Sequence, residues 1–263
     1  MPLTMTALVG DLAAESAQLT YILAALTDEQ WELPTPAVGW AIRDQVSHLA
    51  YFNDAAALAG TDPARFRREA SKLMRNEHFP DEIALKYQHL SPRELMDWLD
   101  RSRGEYLRVF GGIDPRSRVQ WYGPSMSAAS SVTARLMETW AHSQDILDAI
   151  GRARWPTARL RHVAHLGVAT RGFSFQLRGQ PVPDAPVRVE LTAPDGSAWE
   201  WGPADAADRV EGSALDFCLL VTQRRHRADT ALRATGPVAD AWLDLAQAFA
   251  GPPGPGRAPG AAR

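Results

Sequence analysis

Glu138 and His142 stand four residues apart in the stretch from Arg135 to Gly151, the spacing that puts two side chains on one face of a helix, one turn from each other. Leu136, Trp140, Ile146, Leu147 and Ile150 recur as the apolar positions of such a helix, and Gly151 stands where a helix would stop. A carboxylate and an imidazole are costly to bury alone, and a divalent metal would satisfy both. The pair by itself is a weak signal, since such pairs usually lie on a solvated surface. A third donor is needed to choose between the two.

His48 is the candidate. From Ala41 the positions Ile42, Val46, Leu49 and Ala50 recur at helical spacing after a loop marked by Pro36 and Gly39. His48 falls near the edge of that apolar face, where a histidine serves either as a hydrogen-bonded core residue or as a ligand. Thr35-Pro36, Gly39-Trp40, Arg43-Asp44 and His48-Leu49-Ala50, followed by Arg135, Glu138, His142 and Asp145, form an ordered set. That set resembles the mycothiol-dependent maleylpyruvate isomerase family, within the DinB-like superfamily of metal-binding four-helix bundles. The resemblance implies that His48, Glu138 and His142 are metal ligands facing the centre of a bundle.

Two imidazoles and a carboxylate suit Zn²⁺ with one position left open, and the same donors also hold Fe(II), Ni²⁺ or Mn²⁺. The resemblance further implies that a low-molecular-weight thiol, mycothiol-like, is the nucleophile. A cation beside a thiol favours the thiolate at neutral pH. In an isomerase-like reaction that thiolate adds to the cis double bond of a dicarboxylate, permits rotation and leaves. In a transferase-like reaction the adduct is the product. Asp145 is expected either to orient His142 or to pair at the bundle surface.

Four long helices must position these groups. Residues 4–26 carry leucines at helical spacing, with Ser16 as a polar interruption. The His48 helix is expected from about Ile42 to Leu58, stopping at Gly60. Ser91-Pro92-Arg93-Glu94 has the form of a capped helix start, and that helix would end at Gly111-Gly112. The fourth begins near Ala128 and carries Glu138 and His142. Thr27-Asp28-Glu29-Gln30 opens a short turn of helix under Trp31, and a charged helical segment from Thr61 to Asn76 reads as a solvated face. Trp121 and Tyr122 lie in a Gly/Pro/Ser-rich loop, and packing is their expected role.

After Trp155-Pro156 the composition changes. A helix over about 158–176 carries His162 and His165, read as packing and surface residues. Val187, Val189 and Leu191 then alternate, Pro194-Asp195-Gly196-Ser197 turns the chain, and Trp199 and Trp201 alternate again, which predicts a hairpin. Val210-Glu211-Gly212 reads as an edge strand, Ser213 to Thr222 as an apolar helix and Asp240 to Phe249 as a last amphipathic helix. This half resembles the C-terminal domain of the same family, whose pattern has Gly-Arg at the end of the apolar helix where this chain has Gln223-Arg224. The resemblance implies that Arg224 engages a carboxylate of the substrate or of the thiol cofactor, a task suited to its planar fork; a solvated basic cluster is the other reading. Cys218, inside the run Phe217-Cys218-Leu219-Leu220, is a poor nucleophile because burial raises a thiol's pKa.

The fold class expected is mainly α, a DinB-like four-helix bundle over 1–154 followed by a smaller α+β domain over 155–250 and a disordered Gly/Pro/Ala tail over 251–263. The chain has 263 residues, 45% of them hydrophobic, enough for one large core or two modest ones. A net charge of -3 gives no electrostatic case for nucleic acid or a membrane surface. No apolar run reads as a signal peptide or a span, and the single cysteine excludes an internal disulfide, so a cytoplasmic protein is expected. The expected partners are a small-molecule substrate and a thiol, and a homodimer is compatible with bundle architecture. Three functional classes stay open: a mycothiol-dependent isomerase or S-transferase, a thiol-independent metal enzyme of specialised metabolism, and a non-catalytic metal-binding protein.

Overall fold

A computed structural model describes residues 4–76, 78–254 and 256–260. The chain divides into two compact units, Met1–Ala153 and Arg154–Arg263.

In the first unit four long helices carry the core: α1 (Met5–Leu23), α3 (Ile42–Thr61), α6 (Pro92–Gly111) and α7 (Ala128–Ala149). Helix α1 packs on α7, α7 on α3, α3 on α6, and α6 back on α1, the closed ring of a four-helix bundle. Leu19, Leu23, Ile42, Val46, Leu49, Leu95, Leu99 and Ile146 fill its centre. Three shorter helices complete the unit: α2 (Asp28–Trp31), α4 (Pro63–Leu73) and α5 (Phe79–Lys86). The local signals explain where helices start. Thr27 and Gln30 exchange the two bonds of a capping box, as do Ser91 and Glu94. Helix α4 is capped by Asp62 and tucks Phe66 and Ala70 inward while its charged residues face solvent. Strands β1 (Arg118–Val119) and β2 (Met126–Ser127) pair antiparallel and bracket the loop that carries Trp121 and Tyr122.

Gly60 is no stop. It lies within α3, and a Cβ there would sit 2.8 Å from Val109 Cγ1 and 3.1 Å from Ile113 Cδ1, so its small size lets α3 and α6 approach. Helix α7 does end as its sequence implies, with Gly151 just beyond it at φ 64°.

The second unit sets helices α8 (Leu160–Ala169), α9 (Arg171–Gln176), α10 (Ala214–Val221) and α11 (Pro237–Leu245) with a sheet of β3 (Val187–Thr192), β4 (Ala198–Trp201), β5 (Asp208–Ser213) and β6 (Arg233–Thr235). The hairpin is β3 and β4, with Leu191 opposite Trp199 and Val189 opposite Trp201. The sheet order is β4-β3-β5-β6, so β5 is an inner strand, parallel to β3 and antiparallel to β6. This corrects the expectation of an edge strand at 210–212; the edges are β4 and β6, and the three residues of β6 are too short to show period two. The single helix expected over 158–176 is two, α8 and α9, with Thr170 between them. Of the tail, Gly251 and Gly260 make backbone bonds to Gln247 and to the Asp229 carboxylate, while Pro255 and residues 261–263 lie outside the described residues. No helix among the described residues is long and apolar enough to cross a membrane.

Candidate metal centre

His48 leaves α3 and Glu138 and His142 leave α7, two helices that are neighbours in the bundle. The Nε2 of His142 lies 3.2 Å from Glu138 Oε2, and the Nε2 of His48 lies 3.7 Å from the same oxygen. One ligand atom from each of the three falls within 4.8 Å of the others, and among the described residues they form the group of histidine and acidic side chains placed to share a cation. Helical spacing dictates the Glu138–His142 half of this arrangement. The approach of α3 to α7 supplies the other half.

The site's electrostatics follow from burial. Burial raises the Glu138 carboxyl, but the neighbouring His142 and His48 rings and the Arg135 guanidinium outweigh it and hold the group well below the usual carboxylate range. Arg135 is 5% exposed, and its Nη2 lies 3.6 Å from Glu138 Oε2. Burial lowers the Arg135 guanidinium, with the Glu138 charge acting the other way. Burial and the neighbouring His142 push His48 down to about 3, so its ring is neutral and keeps a lone pair. His48 Nδ1 is buried without a hydrogen-bond partner.

Aromatic rings surround the two imidazoles. Trp40 stacks on His142 at 6.0 Å between centroids and lies 5.0 Å from His48, and Phe52 lies 4.6 Å from His48 on its other side. Trp40 is anchored by Nε1 donating to Asp81 of α5 at 2.8 Å. Beyond Phe52 come Trp121 and Tyr122, at 6.0 and 5.5 Å, so the loop pair packs against a ring that touches the candidate ligands. Arg43 and Asp44, quoted above as part of the motif, are architectural: Arg43 pairs with Glu32, and Asp44 accepts from the Ala41 amide at the start of α3.

Asp145 does not hold His142. It is fully buried, not at the surface, and both ring nitrogens of His142 face other groups: Nε2 faces Glu138, and Nδ1 lies 2.5 Å from Gln45 Oε1. Gln45 is the contact the sequence reading missed. Its only signal is a polar residue between Ile42 and Val46 on a buried helix. His162 is buried in α8 and His165 is exposed, in keeping with packing and surface roles. Cys218 is fully buried and burial raises its thiol, so it stays protonated.

Arg224 lies in the second unit, just after α10, half-buried, with Nη1 donating to the Thr222 carbonyl at 2.7 Å. Gln223 before it has φ 58°, the left-handed conformation that glycine favours. The turn that a Gly-Arg pair would make is therefore kept here by a glutamine.

A family model described as the mycothiol maleylpyruvate isomerase N-terminal domain matches residues 12–147, more than half of the chain. The chain belongs to this family. A second family model, described as wyosine base formation, matches residues 183–235 in the other unit. Two uncharacterised proteins of Mycobacterium tuberculosis, from two strains, are each 47% identical over 251 residues, covering 95% of this chain and 97% of the relative. A crystal structure of mycothiol-dependent maleylpyruvate isomerase, and one of a histidine-to-alanine mutant of it, match with a TM-score of 0.59 and 15% identity. The match covers 88% of this chain and 93% of that chain. At that identity the likeness speaks for the fold.

Proposed function

We propose that His48, Glu138 and His142 hold one divalent cation, Zn²⁺ by the chemistry of its donors, and that the protein uses a low-molecular-weight thiol such as mycothiol in isomerisation or S-transfer on a small electrophile. The observation that carries this reading is the convergence of two imidazole nitrogens and one carboxylate oxygen, from two facing helices, within 4.8 Å. Three protein ligands leave a catalytic zinc one open position. When bound, such a cation supplies the charge that favours a thiolate at neutral pH.

The chain's own residues prepare the site. The neighbouring His142 and His48, with Arg135, keep Glu138 anionic, and burial keeps His48 neutral with a free lone pair, so neither carries a proton that a cation would have to displace. Trp40 and Phe52 flank the rings and limit water around them. Arg224 is assigned the carboxylate of the substrate or thiol, for which its planar fork of donors is suited. A cytoplasmic location fits a thiol-using enzyme, and both proposed ligands are small molecules.

Elemental analysis of the purified protein beside a His48→Ala, Glu138→Ala double variant tests the site. The expected result is about one equivalent of metal in the wild type, lost in the variant while the helical signal survives. Turnover of a cis-configured electrophile with and without added thiol then tests the reaction. A wild type that carries no metal and cannot be loaded ends the catalytic reading. Turnover without any thiol would leave a thiol-independent metal enzyme on this scaffold.

A further inference from the structure

The contacts around His142 determine where its proton sits. Thr35 Oγ1 lies 2.8 Å from the Trp40 carbonyl oxygen, which has no hydrogen, so the hydroxyl donates. The lone pairs of that hydroxyl face Gln45 at 2.8 Å, where only the amide nitrogen can donate. The carboxamide is thereby oriented, and its oxygen faces His142 Nδ1. An acceptor at that distance requires a hydrogen on Nδ1. The ring's other nitrogen then faces the anionic Glu138 oxygen at 3.2 Å. A cation bound between them would take the lone pair that Nε2 keeps when Nδ1 holds the hydrogen.

We infer that Gln45 is a positioning residue: held by Thr35, it keeps the proton of His142 on Nδ1 and so presents Nε2, bare, toward Glu138 and His48. This rests on the metal reading above and names the residue that prepares one ligand. The relay is rigid because its base is rigid. Thr35 N also donates to the Trp40 carbonyl at 2.8 Å, Pro34 and Ala41 form a bridge, and Gly39 turns the loop at φ 83°. Gln45 itself has no exposed surface and Thr35 is 8% exposed, so water does not compete for these bonds. The same short loop places the Trp40 ring over His142, so one segment sets both the ring's surroundings and its tautomer. A leucine at position 45 would suit the apolar neighbours Ile42, Val46 and Leu49, but it would leave Nδ1–H buried without an acceptor.

Nitrogen-15 NMR of the histidine rings in metal-free protein, with Zn²⁺ affinity from chelator competition, tests the assignment. Wild-type His142 is expected to carry a protonated Nδ1. Gln45→Leu is expected to move the proton to Nε2 and to weaken Zn²⁺ binding roughly 10–100-fold, the usual effect of losing a partner behind a ligand. Gln45→Glu retains an oxygen acceptor and is expected to keep Nδ1 protonated. Thr35→Val, which removes the hydroxyl that orients the amide, is expected to shift the tautomer in the direction of Gln45→Leu and serves if that variant does not fold. A bare Nδ1 in the wild type overturns the inference. So does a folded Gln45→Leu or Thr35→Val protein whose tautomer and Zn²⁺ affinity are those of the wild type. Wild-type protein that binds no Zn²⁺ yet has Nδ1 protonated, with the variants moving it, ends the metal reading while the role of Gln45 in fixing the tautomer stands.

Discussion

Replacing Glu138 by glutamine should destabilise the metal-free protein through Arg135, not through any lost metal. The Arg135 guanidinium is 5% exposed and its Nη2 lies 3.6 Å from Glu138 Oε2. Breaking a buried pair by removing one partner typically costs about 3–5 kcal/mol, because the other charge is left in a medium that solvates it poorly. Two features of this pair reduce the figure. Its separation is longer than a direct hydrogen bond, and the Glu138 side chain is 27% exposed, so solvent screens part of the field. We expect about 2 kcal/mol. For a unit of this size that is a fall in melting temperature of roughly 4–8 °C, read by calorimetry in the presence of a chelator. The companion variant is Arg135→Met, which also loses one charge of the pair, and the double variant has neither. If the reasoning holds, the double variant is more stable than the sum of the single losses implies, by about 1 kcal/mol or more. Strict additivity, or a Glu138→Gln protein as stable as the wild type, would refute it.

The acid side of the stability profile offers a second check on the metal-free protein. His48 falls from its ordinary value near 6.5 to about 3 on folding, so between those values the unfolded chain binds the extra proton. The neutral ring's contribution is intact above pH 6.5 and is lost as pH falls toward 3, at a slope of up to about 1.4 kcal/mol per unit. Denaturant unfolding between pH 7 and 4 should show that onset, and His48→Gln should remove it; an unchanged profile in the variant would mean that His48 is not the group. Gly60→Ala places a methyl 2.8 Å from Val109 Cγ1, where overpacking of about 1–3 kcal/mol exceeds the gain of at most about 1 from helix propensity, so the melting temperature should fall, not rise. Gln223→Gly should go the other way. It relieves a left-handed glutamine worth about 1–2 kcal/mol of strain and gives back part of that as unfolded-state entropy, leaving a gain of about 0.5 kcal/mol in urea unfolding; a loss would show that the long side-chain contacts to Ala246 and Gln247 matter more.

Much of this molecule is legible one segment at a time. The capping box at Ser91 and the glycine after α7 are local signals, and the pairing of β3 with β4 follows from alternation around a four-residue turn. The elements passed over or misread are those whose local pattern is weak or whose fate depends on a distant neighbour. Helix α5 holds only two fully buried residues, Ile83 and Ala84, too few for a stripe. Strand β5 looks like an edge because its partner β6 is three residues long and lies more than twenty residues on. That Gly60 also makes room for α6, beside standing one residue from the end of α3, shows only when Val109 is seen against it.

The candidate site divides along the same line. That Glu138 and His142 share a face is a consequence of 3.6 residues per turn, and no tertiary contact is needed to know it. That His48 joins them depends on the crossing of α3 and α7, about ninety positions apart, which no local periodicity encodes; only the likeness to a known family pointed to it. Gln45 was beyond reach altogether. A glutamine on an apolar helix face has many explanations, and Asp145, on the same helix as His142, looked the better partner by sequence distance. Which group reaches Nδ1 is decided by the direction of the ring, and the direction of the ring is set by the neighbouring helix and by the loop that ends in Trp40. Sequence alone determined the four long helices, the capping boxes at Thr27 and Ser91 and the type of donor available. Tertiary structure decided which donors meet and which nitrogen carries the proton, because those depend on distances between segments that the chain brings together only on folding.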